Sequence, residues 1–293
     1  MRRFLLLLLI VLAPVAVFAA MILADRTFGT VGRGYDYVVK VDLPEPEAMA
    51  ALPKIEGPVD STRPLVVIDA GHGGKDPGAG AGTTREKDLT LALALALKDE
   101  LLRKGGVRVA LTRGDDRYLF LGERSAIARQ LGADLFISIH ADSTEVSSGA
   151  IGATVYTLSA KGSNQVAERM AARENAADKI GGIAMSEYGQ SVGAVLVDLA
   201  QRKTQADSEL FAGLVLREGQ GRMPFKETAA QSAAFAVLKS PDVPSILFES
   251  GYINNPADVA RLTSAAGRQT FAAVMGTAIR AFFARTRTNG AGV

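Results

Sequence analysis

Residues 65–74 have the sequence LVVIDAGHGG, and this segment sets the architecture that the rest of the chain follows. Residues 65–68 form a continuous apolar run between Pro64 and a glycine-rich loop, which is typical of a strand buried on both faces. Strands of this kind occur in parallel sheets that are covered by helices. The segment therefore predicts an α/β domain in which a polar, glycine-rich loop follows the first strand.

Predicted helices and strands alternate on the carboxyl side of this segment. Residues 91–97 alternate leucine and alanine as a strand would, but both are strong helix formers, and a charged segment extends the helix to Lys104. The further predicted strands are 107–111, 134–139, 153–158, 235–238 and 245–248, and the predicted helices are 87–104, 122–131, 164–175, 204–217, 257–262 and 268–283. This alternation predicts one domain with a mostly parallel, twisted central sheet flanked by helices on both faces.

The amino-terminal part of the chain differs in composition. Residues 4–24 carry no charge and follow Arg2 and Arg3, which is typical of a signal peptide or an N-terminal membrane anchor and would place the rest outside the cytoplasm. Four prolines then mark an extended linker, with a candidate short strand at 35–41. The expected segments are 1–24 (signal peptide or anchor), 25–62 (linker), 63–285 (α/β domain) and 286–293 (polar tail).

Composition excludes several classes of function. The chain has 293 residues and no cysteine, which excludes disulfide frameworks, cysteine-based metal sites and cysteine nucleophiles. Its formal net charge is +2, and Arg2 and Arg3 are the charged residues that precede Asp25. Residues 25–293 therefore have a formal net charge of zero. The rest of the chain has no basic excess, so we expect no nucleic-acid partner.

Three predicted strands end in polar residues that could carry chemistry. The loop after the first strand holds His72, the strand at 134–139 runs into His140, and the strand at 245–248 runs into Glu249. His72 and His140 are the two histidines of the chain. Because sites in open α/β sheets form beyond the carboxyl ends of strands, we expect the three residues to share one site.

Two histidines and a carboxylate would suit a catalytic zinc ion, which commonly takes three protein ligands and leaves a position for water. Glu86 is the candidate carboxylate. Its spacing fits equally well a capping box, in which Glu86 bonds back to the amide of Thr83 at the start of the first helix. Asp76 and Asp142 are rival ligands, so spacing alone leaves the third ligand open.

Glu249 follows an apolar strand and is expected to be buried. Burial would raise the pKa of its carboxyl toward the range that suits general acid/base catalysis. The alternative is a structural acid paired with Arg113 or Arg124. Nucleotide-binding motifs fail at Asp76, which stands where a dinucleotide fingerprint needs glycine and a P-loop needs serine or threonine.

Five motifs together resemble the zinc-dependent N-acetylmuramoyl-L-alanine amidases of the amidase_3 family, in the family's order. They are 69–79 (DAGHGGKDPGA), 85–89 (REKDL), 111–113 (LTR), 136–142 (FISIHAD) and 243–255 (VPSILFESGYINN). The resemblance implies a zinc ion on His72, Glu86 and His140, with Glu249 as the catalytic acid/base. It also implies hydrolysis of the amide between N-acetylmuramic acid and L-alanine in peptidoglycan. The alternatives are another zinc peptidoglycan peptidase and a noncatalytic wall-binding module.

Residues 174–203 resemble the insertion found in the cell-division amidases of Gram-negative bacteria, where a helix covers the zinc until a LytM-type activator displaces it. The resemblance implies an autoinhibited, monomeric enzyme of the periplasm that degrades cell wall during daughter-cell separation. Glu187 is the candidate residue for plugging the metal. The alternative is an ordinary helical hairpin on the surface.

Overall fold

The computed structural model describes residues 52–143, 150–180 and 194–290. Contacts divide the chain into Met1–Ala50 and Ala51–Val293, and all described residues belong to the second unit. The expected signal peptide or anchor (1–24), the candidate strand at 35–41 and Glu187 lie outside the described residues. In the described part, no helix has the length and apolar character needed to cross a membrane.

A six-stranded sheet forms the centre of the domain, in the order β4-β1-β5-β8-β6-β7. Within this sheet, β6–β8 is the one antiparallel pair among the described strands, so the sheet is mostly parallel, as predicted. A separate two-stranded ribbon joins β2 and β3. The strands are β1 (Leu65–Ala70), β2 (Gly80–Ala81), β3 (Thr84–Arg85), β4 (Arg108–Leu111), β5 (Leu135–Asp142), β6 (Ala153–Leu158), β7 (Phe225–Ala233) and β8 (Ser245–Tyr252).

Helices cover both faces of this sheet. They are α1 (Glu86–Lys104), α2 (Leu121–Gln130), α3 (Gln165–Asn175), α4 (Ala177–Ile180), α5 (Ala194–Gly219), α6 (Pro256–Thr263) and α7 (Ala265–Gly290). Successive side chains of a strand point to opposite faces. Val66 and Ile68 accordingly pack into one core cluster with α1, α5 and α7, whereas Leu65 and Val67 pack into another with α2 and α3. The predicted two-sided architecture is confirmed.

The prediction is wrong at residues 235–238, where the structure has a 3-10 turn (Ala236–Leu238) in place of a strand. The strand lies earlier, at β7, whose sequence FKETAAQSA contains no apolar run. β7 is the last strand of the sheet and is partly exposed, so it needs few apolar side chains. The apolar run after it is buried as a turn against the core.

β5 and β8 both continue past their predicted ends, and this extension positions the polar residues. His140 and Glu249 lie inside the two strands and are partners in the parallel register. Paired residues of neighbouring strands project from the same face of a sheet. The two side chains are therefore neighbours at the carboxyl edge of the sheet.

Part of the predicted linker packs on the domain. Glu56 forms an antiparallel bridge with Val109 of β4, with backbone N–H···O distances of 2.8 and 2.9 Å. The Glu56 carboxylate also pairs with Lys98 of α1 at 3.0 Å. The described end of the linker thus covers the outer edge of β4.

Candidate metal centre

The loop after β1 holds His72 in a backbone conformation that L residues rarely adopt. Its φ is +59°, and it is the one non-glycine residue with positive φ in the described ranges. Close approaches explain the surrounding glycines: a Cβ on Gly71 would lie 2.6 Å from ring atoms of His140. A Cβ on Gly78 would lie 2.6 Å from the Glu86 carboxylate. The glycine-rich sequence therefore allows three polar side chains to converge.

Glu86 is the first residue of α1, and its carboxylate bonds to groups outside the helix. Oε2 accepts the Ala79 N–H at 2.8 Å, and Oε1 accepts the Ala141 N–H at 2.9 Å. The N-cap is Arg85, whose side chain makes no capping bond. The capping-box alternative with Thr83 is therefore wrong, because the helix begins at Glu86 itself.

Four buried side chains meet at one point: His72, Glu86, His140 and Glu174. Glu86 Oε1 lies 3.1 Å from His72 Nε2 and 3.2 Å from His140 Nδ1. Glu174 Oε2 lies 3.3 Å from the same nitrogen of His72 and 3.2 Å from that of His140. Neighbouring ligand atoms of a tetrahedral zinc site with bonds of about 2.0–2.1 Å are about 3.3 Å apart. The spacing of these donors fits a zinc-sized cation.

The hydrogen bonding of these atoms supports the same interpretation. Both His72 Nε2 and Glu174 Oε2 are buried and lack a hydrogen bond to any part of the chain that the structure describes. Buried polar atoms normally have such a partner, or else they bind an ion or water. Two imidazoles and two carboxylates are a donor set that zinc accepts.

Glu174 is the residue that sequence reasoning missed. It lies in the last turn of α3. The buried residues of the whole helix are Ala167, Met170, Ala171 and Glu174. This i, i+3, i+4, i+7 spacing marks the face of an amphipathic helix that packs inward. A carboxylate on that face is the signal that could have identified Glu174 from the sequence.

Asp76, the rival ligand, orients His72 instead. Asp76 Oδ2 lies 2.8 Å from His72 Nδ1, and Asp76 Oδ1 accepts the Gly78 N–H at 3.1 Å. A carboxylate on one ring nitrogen of a histidine fixes the ring and leaves the other nitrogen for a metal. Nε2 of His72 thus faces Glu86 and Glu174. The side chain of Asp142 lies outside the described part.

The four groups shift one another's protonation. Burial opposes charge on His72, but Glu86, Asp76 and Glu174 outweigh it and raise the pKa of the ring well above its usual value. Burial opposes charge on His140 too, and Glu174 and Glu86 raise its pKa. Against burial, the histidines lower the pKa of Glu86 to about 2 and that of Glu174 well below its usual range.

Glu249 is buried at 3% exposure beside His140 in the sheet. The acid that pairs with Arg124 is Asp69, at 2.9 Å, and burial of Asp69 is outweighed by Arg124, so the pKa of Asp69 is lowered. Burial and the neighbouring Arg124 lower the pKa of Arg113 to about 10, which leaves it charged at neutral pH. The buried Asp69–Arg124 pair therefore lies next to the backbone of His72, to whose carbonyl Arg124 donates a hydrogen bond.

The chain is similar in sequence to known proteins. Residues 66–281 match the family described as N-acetylmuramoyl-L-alanine amidase. The chain is 38% identical over 220 residues to the N-acetylmuramoyl-L-alanine amidase AmiA of Escherichia coli (strain K12), covering 75% of this chain and 76% of AmiA. It is 35% identical over 231 residues to AmiC of Escherichia coli O6:H1, covering 78% of this chain and 55% of AmiC.

Solved structures share the fold. The catalytic domain of the amidase CwlV from Bacillus (Paenibacillus) polymyxa var. colistinus matches with a TM-score of 0.53 at 25% identity, covering 75% of this chain and 98% of that domain. The amidase AmiC2 of Nostoc punctiforme matches with a TM-score of 0.53 at 26% identity, covering 75% and 97%.

Proposed function

The chain belongs to the N-acetylmuramoyl-L-alanine amidase family, and from that premise we propose how its residues act on peptidoglycan. It is an enzyme that hydrolyses the amide between N-acetylmuramic acid and L-alanine. We propose that it depends on zinc and that His72, Glu86 and His140 hold the ion. The observation that carries this proposal is the convergence of these three buried side chains, with Glu86 Oε1 3.1 Å from His72 Nε2 and 3.2 Å from His140 Nδ1.

When bound, zinc would supply Lewis-acid chemistry, polarising the scissile carbonyl and lowering the pKa of water. We assign the proton transfers to Glu249. Its carboxylate would take a proton from the attacking water as the oxygen bonds to the lactyl carbonyl carbon. It would then deliver that proton to the L-alanine nitrogen as the C–N bond breaks. The products are a lactyl carboxylate and a free stem-peptide amine.

Glu174 supports the further proposal that this enzyme is autoinhibited. A catalytic zinc keeps one position for water and substrate, whereas a closed four-ligand set is typical of structural sites. Glu174 would complete such a closed set, because its Oε2 lies 3.2–3.3 Å from both histidine nitrogens. The plugging role expected for Glu187 is therefore reassigned to Glu174 in this proposal.

Contacts on the carboxyl side of Glu174 would keep it in place, and we call them the latch (Asn175 and Asp178). The Asn175 side chain bonds the Ala234 carbonyl at 2.8 Å and the Ala236 N–H at 2.7 Å. The Asp178 carboxylate accepts the N–H of Leu121, at the start of α2, at 2.8 Å. An anion at a helix N-terminus is favoured by the helix dipole. The latch thus ties the α3–α4 segment to the domain on two sides.

The proposal is tested by measuring zinc content and dye release from labelled peptidoglycan. We compare the full chain with Glu174→Ala and with a deletion of residues 176–200, and we use Glu168→Ala, an exposed glutamate of α3, as the matched control. We expect about one zinc per chain and low basal release from the full chain. Release should rise in Glu174→Ala and in the deletion, and should stay low in Glu168→Ala.

Each part of the proposal can fail separately. Loss of zinc in His72→Ala is expected, and retention of zinc there would remove His72 from the ligand set. Equal release from the full chain and Glu174→Ala would leave an unregulated amidase. Mass analysis of the soluble product decides the bond that is cut, because a peptidase would release fragments without exposing the lactyl carboxylate.

We also propose export to the periplasm through residues 1–24 and a role in daughter-cell separation, with a LytM-type protein as the activator that withdraws Glu174. The charge-free segment after Arg2 and Arg3 supports export. Cell fractionation of the tagged chain tests it, and a mass shift reports cleavage. Size-exclusion chromatography with light scattering tests the expected monomer. A cytoplasmic chain would overturn the export proposal.

A further inference from the structure

Two buried arginines grip the backbone that carries His72. Arg113 donates from Nε to the Ala70 carbonyl and from Nη2 to the Gly71 carbonyl, each at 2.8 Å. Arg124 donates from Nη1 to the Ala70 carbonyl at 2.8 Å and from Nη2 to the His72 carbonyl at 2.9 Å. Three successive carbonyl groups therefore accept hydrogen bonds from two guanidinium groups. Arg113 is 0% and Arg124 2% exposed, so water screens neither set of bonds.

Arg124 is itself held by a buried carboxylate. Arg124 Nη1 lies 2.9 Å from Asp69 Oδ1. The Asp69 carboxylate also accepts the hydroxyls of Thr112 at 2.6 Å and Ser138 at 2.7 Å. A buried carboxylate with these partners compensates one buried cation and orients its planar fork. The Arg124 guanidinium thus has one orientation, with Nη2 directed at the carbonyl of His72.

Arg113 reaches a second element of the site. Its Nη2 donates to the Lys87 carbonyl at 2.9 Å, in the first turn of α1 and directly after Glu86. One guanidinium therefore bonds both the residue before His72 and the residue after Glu86. His72 Nε2 lies 3.1 Å from Glu86 Oε1. This distance depends on how the backbone at His72 and the backbone at Glu86 are held relative to each other.

The conformation of His72 needs such a restraint. A non-glycine residue with φ of +59° is strained and persists where its surroundings determine it. Relaxation of this φ would rotate the ring away from Glu86 and His140. Asp76 restrains the His72 ring at Nδ1. Among the contacts of the described residues, no hydrogen bond joins Asp76 to the backbone of His72.

We propose that Arg113 and Arg124 are positioning residues for the metal ligands: they hold the 70–72 backbone so that His72 Nε2 and the Glu86 carboxylate meet at the zinc distance. The inference rests on the proposed function, since it concerns the zinc centre named there. Arginine is required at both positions because its planar fork bonds several acceptors at fixed angles. Lysine keeps the charge, but its three donors sit on one nitrogen and lack the fixed planar fork of arginine.

The test measures zinc affinity and coordination directly, in the full chain, by competition with a chromophoric chelator and by the absorption spectrum of the Co²⁺-substituted protein. The variants are Arg124→Lys and Arg113→Lys. The matched control is Arg129→Lys, an exposed arginine of α2 that pairs with Asp242 at 2.8 Å. Circular dichroism and thermal unfolding of the metal-free proteins report the fold.

We expect both variants to fold and to bind zinc at least about tenfold more weakly, as is typical when groups that orient metal ligands are lost, with an altered Co²⁺ spectrum. Arg129→Lys should match the unaltered chain. Unchanged zinc affinity and Co²⁺ spectrum in the variants, whatever their melting temperature, would overturn the inference and leave the arginines a purely structural role.

Misfolding of a variant and absence of zinc binding by the unaltered chain have separate consequences. If Arg124→Lys does not fold, Arg113→Lys carries the test alone, because it leaves the Asp69–Arg124 ion pair intact. Zinc binding by the unaltered chain separates the two hypotheses. Its absence would overturn the proposed zinc centre and this inference with it, whereas its presence with unaffected variants would overturn the inference alone.

Discussion

Glu249 is the partner of His140 in the register of β8 and β5, so one substitution can separate proton transfer from metal binding. We expect Glu249→Gln, made in the Glu174→Ala background, to retain zinc and to lower kcat by about 10²–10⁴-fold. Glutamine has nearly the same shape as glutamate but cannot take a proton from water. Zinc content and dye release measure the two effects.

The control for this substitution is Glu227→Gln, an exposed glutamate of β7. It should leave both zinc content and dye release unchanged. Full activity in Glu249→Gln would remove Glu249 from the mechanism, whereas loss of zinc from that variant would make Glu249 a ligand instead.

Protons and zinc compete for the same two histidine nitrogens. The surrounding carboxylates raise the pKa of His72 and of His140, which shifts both rings toward the imidazolium form. Zinc binds neutral imidazole, so binding at pH 7 should release protons. Its apparent affinity should fall as the pH drops, by up to about tenfold per pH unit for each proton released.

Titration calorimetry at pH 7, in two buffers with different ionisation enthalpies, measures this proton release. Binding heats that differ between the buffers are the expected result. Equal heats would mean that both rings are already neutral before zinc binds. His72→Ala, which lacks one of the two rings, should show little binding heat in either buffer.

At the scale of elements, the α3–α4 segment joins the metal site to the latch. We expect Asp178→Ala to raise basal dye release, because the N–H of Leu121 loses its carboxylate and the latch loses one of its two residues. The increase should be smaller than in Glu174→Ala, because Glu174 and the Asn175 bonds remain. Zinc content should not change.

Lys179→Ala is the matched control for this prediction, since Lys179 is the exposed neighbour of Asp178 in α4. Equal release from Asp178→Ala and the unaltered chain would show that the latch does not restrain Glu174. A rise in Lys179→Ala as well would point to general loosening of α4.

Some strands and helices can be predicted from the sequence alone, and others cannot. β1 is buried on both faces, so its apolar run and the following glycine-rich loop identify it directly. β7 is a polar edge strand, and no local pattern distinguishes it from a loop. The apolar run after it predicts a strand, although the structure has a turn there, because periodicity alone does not separate a short strand from a buried turn.

The candidate centre divides in the same way. His72 and His140 are disclosed by their places at strand ends, whereas Glu86 is ambiguous until the start of α1 is known. Glu174 follows from the face of α3 that packs inward, which depends on tertiary structure. The arginine grip on residues 70–72 has no sequence signal, because it depends on which carbonyl groups turn toward Arg113 and Arg124.

For the whole molecule, the candidate ligands come from four separate places: the loop after β1, the start of α1, the end of β5 and the end of α3. An ion that binds all four would link elements on both faces of the sheet. Ligands that bind the folded state but not the unfolded state stabilise the fold through mass action. Zinc should therefore stabilise the domain as a unit.

The expected size follows from this linkage. Free zinc at 100 times its dissociation constant adds about 2.7 kcal/mol to the free energy of unfolding. For a domain of this length, that is a rise in Tm of about 5–10 °C. Differential scanning calorimetry of the full chain, with zinc and with a chelator, measures it. Magnesium, which prefers oxygen ligands, is the control ion and should leave the Tm unchanged.

The pH dependence of this shift tests the histidine pKa values at the scale of the fold. A histidine whose pKa is raised in the folded state adds stability that is fully present below its unfolded value and is lost as pH rises through the raised value. The metal-free chain should therefore lose stability as the pH is raised, while zinc affinity increases because fewer protons compete. When Tm is measured at about pH 6 and about pH 8, the zinc-induced rise should be larger at the higher pH. A smaller rise at the higher pH would contradict the assigned ligands.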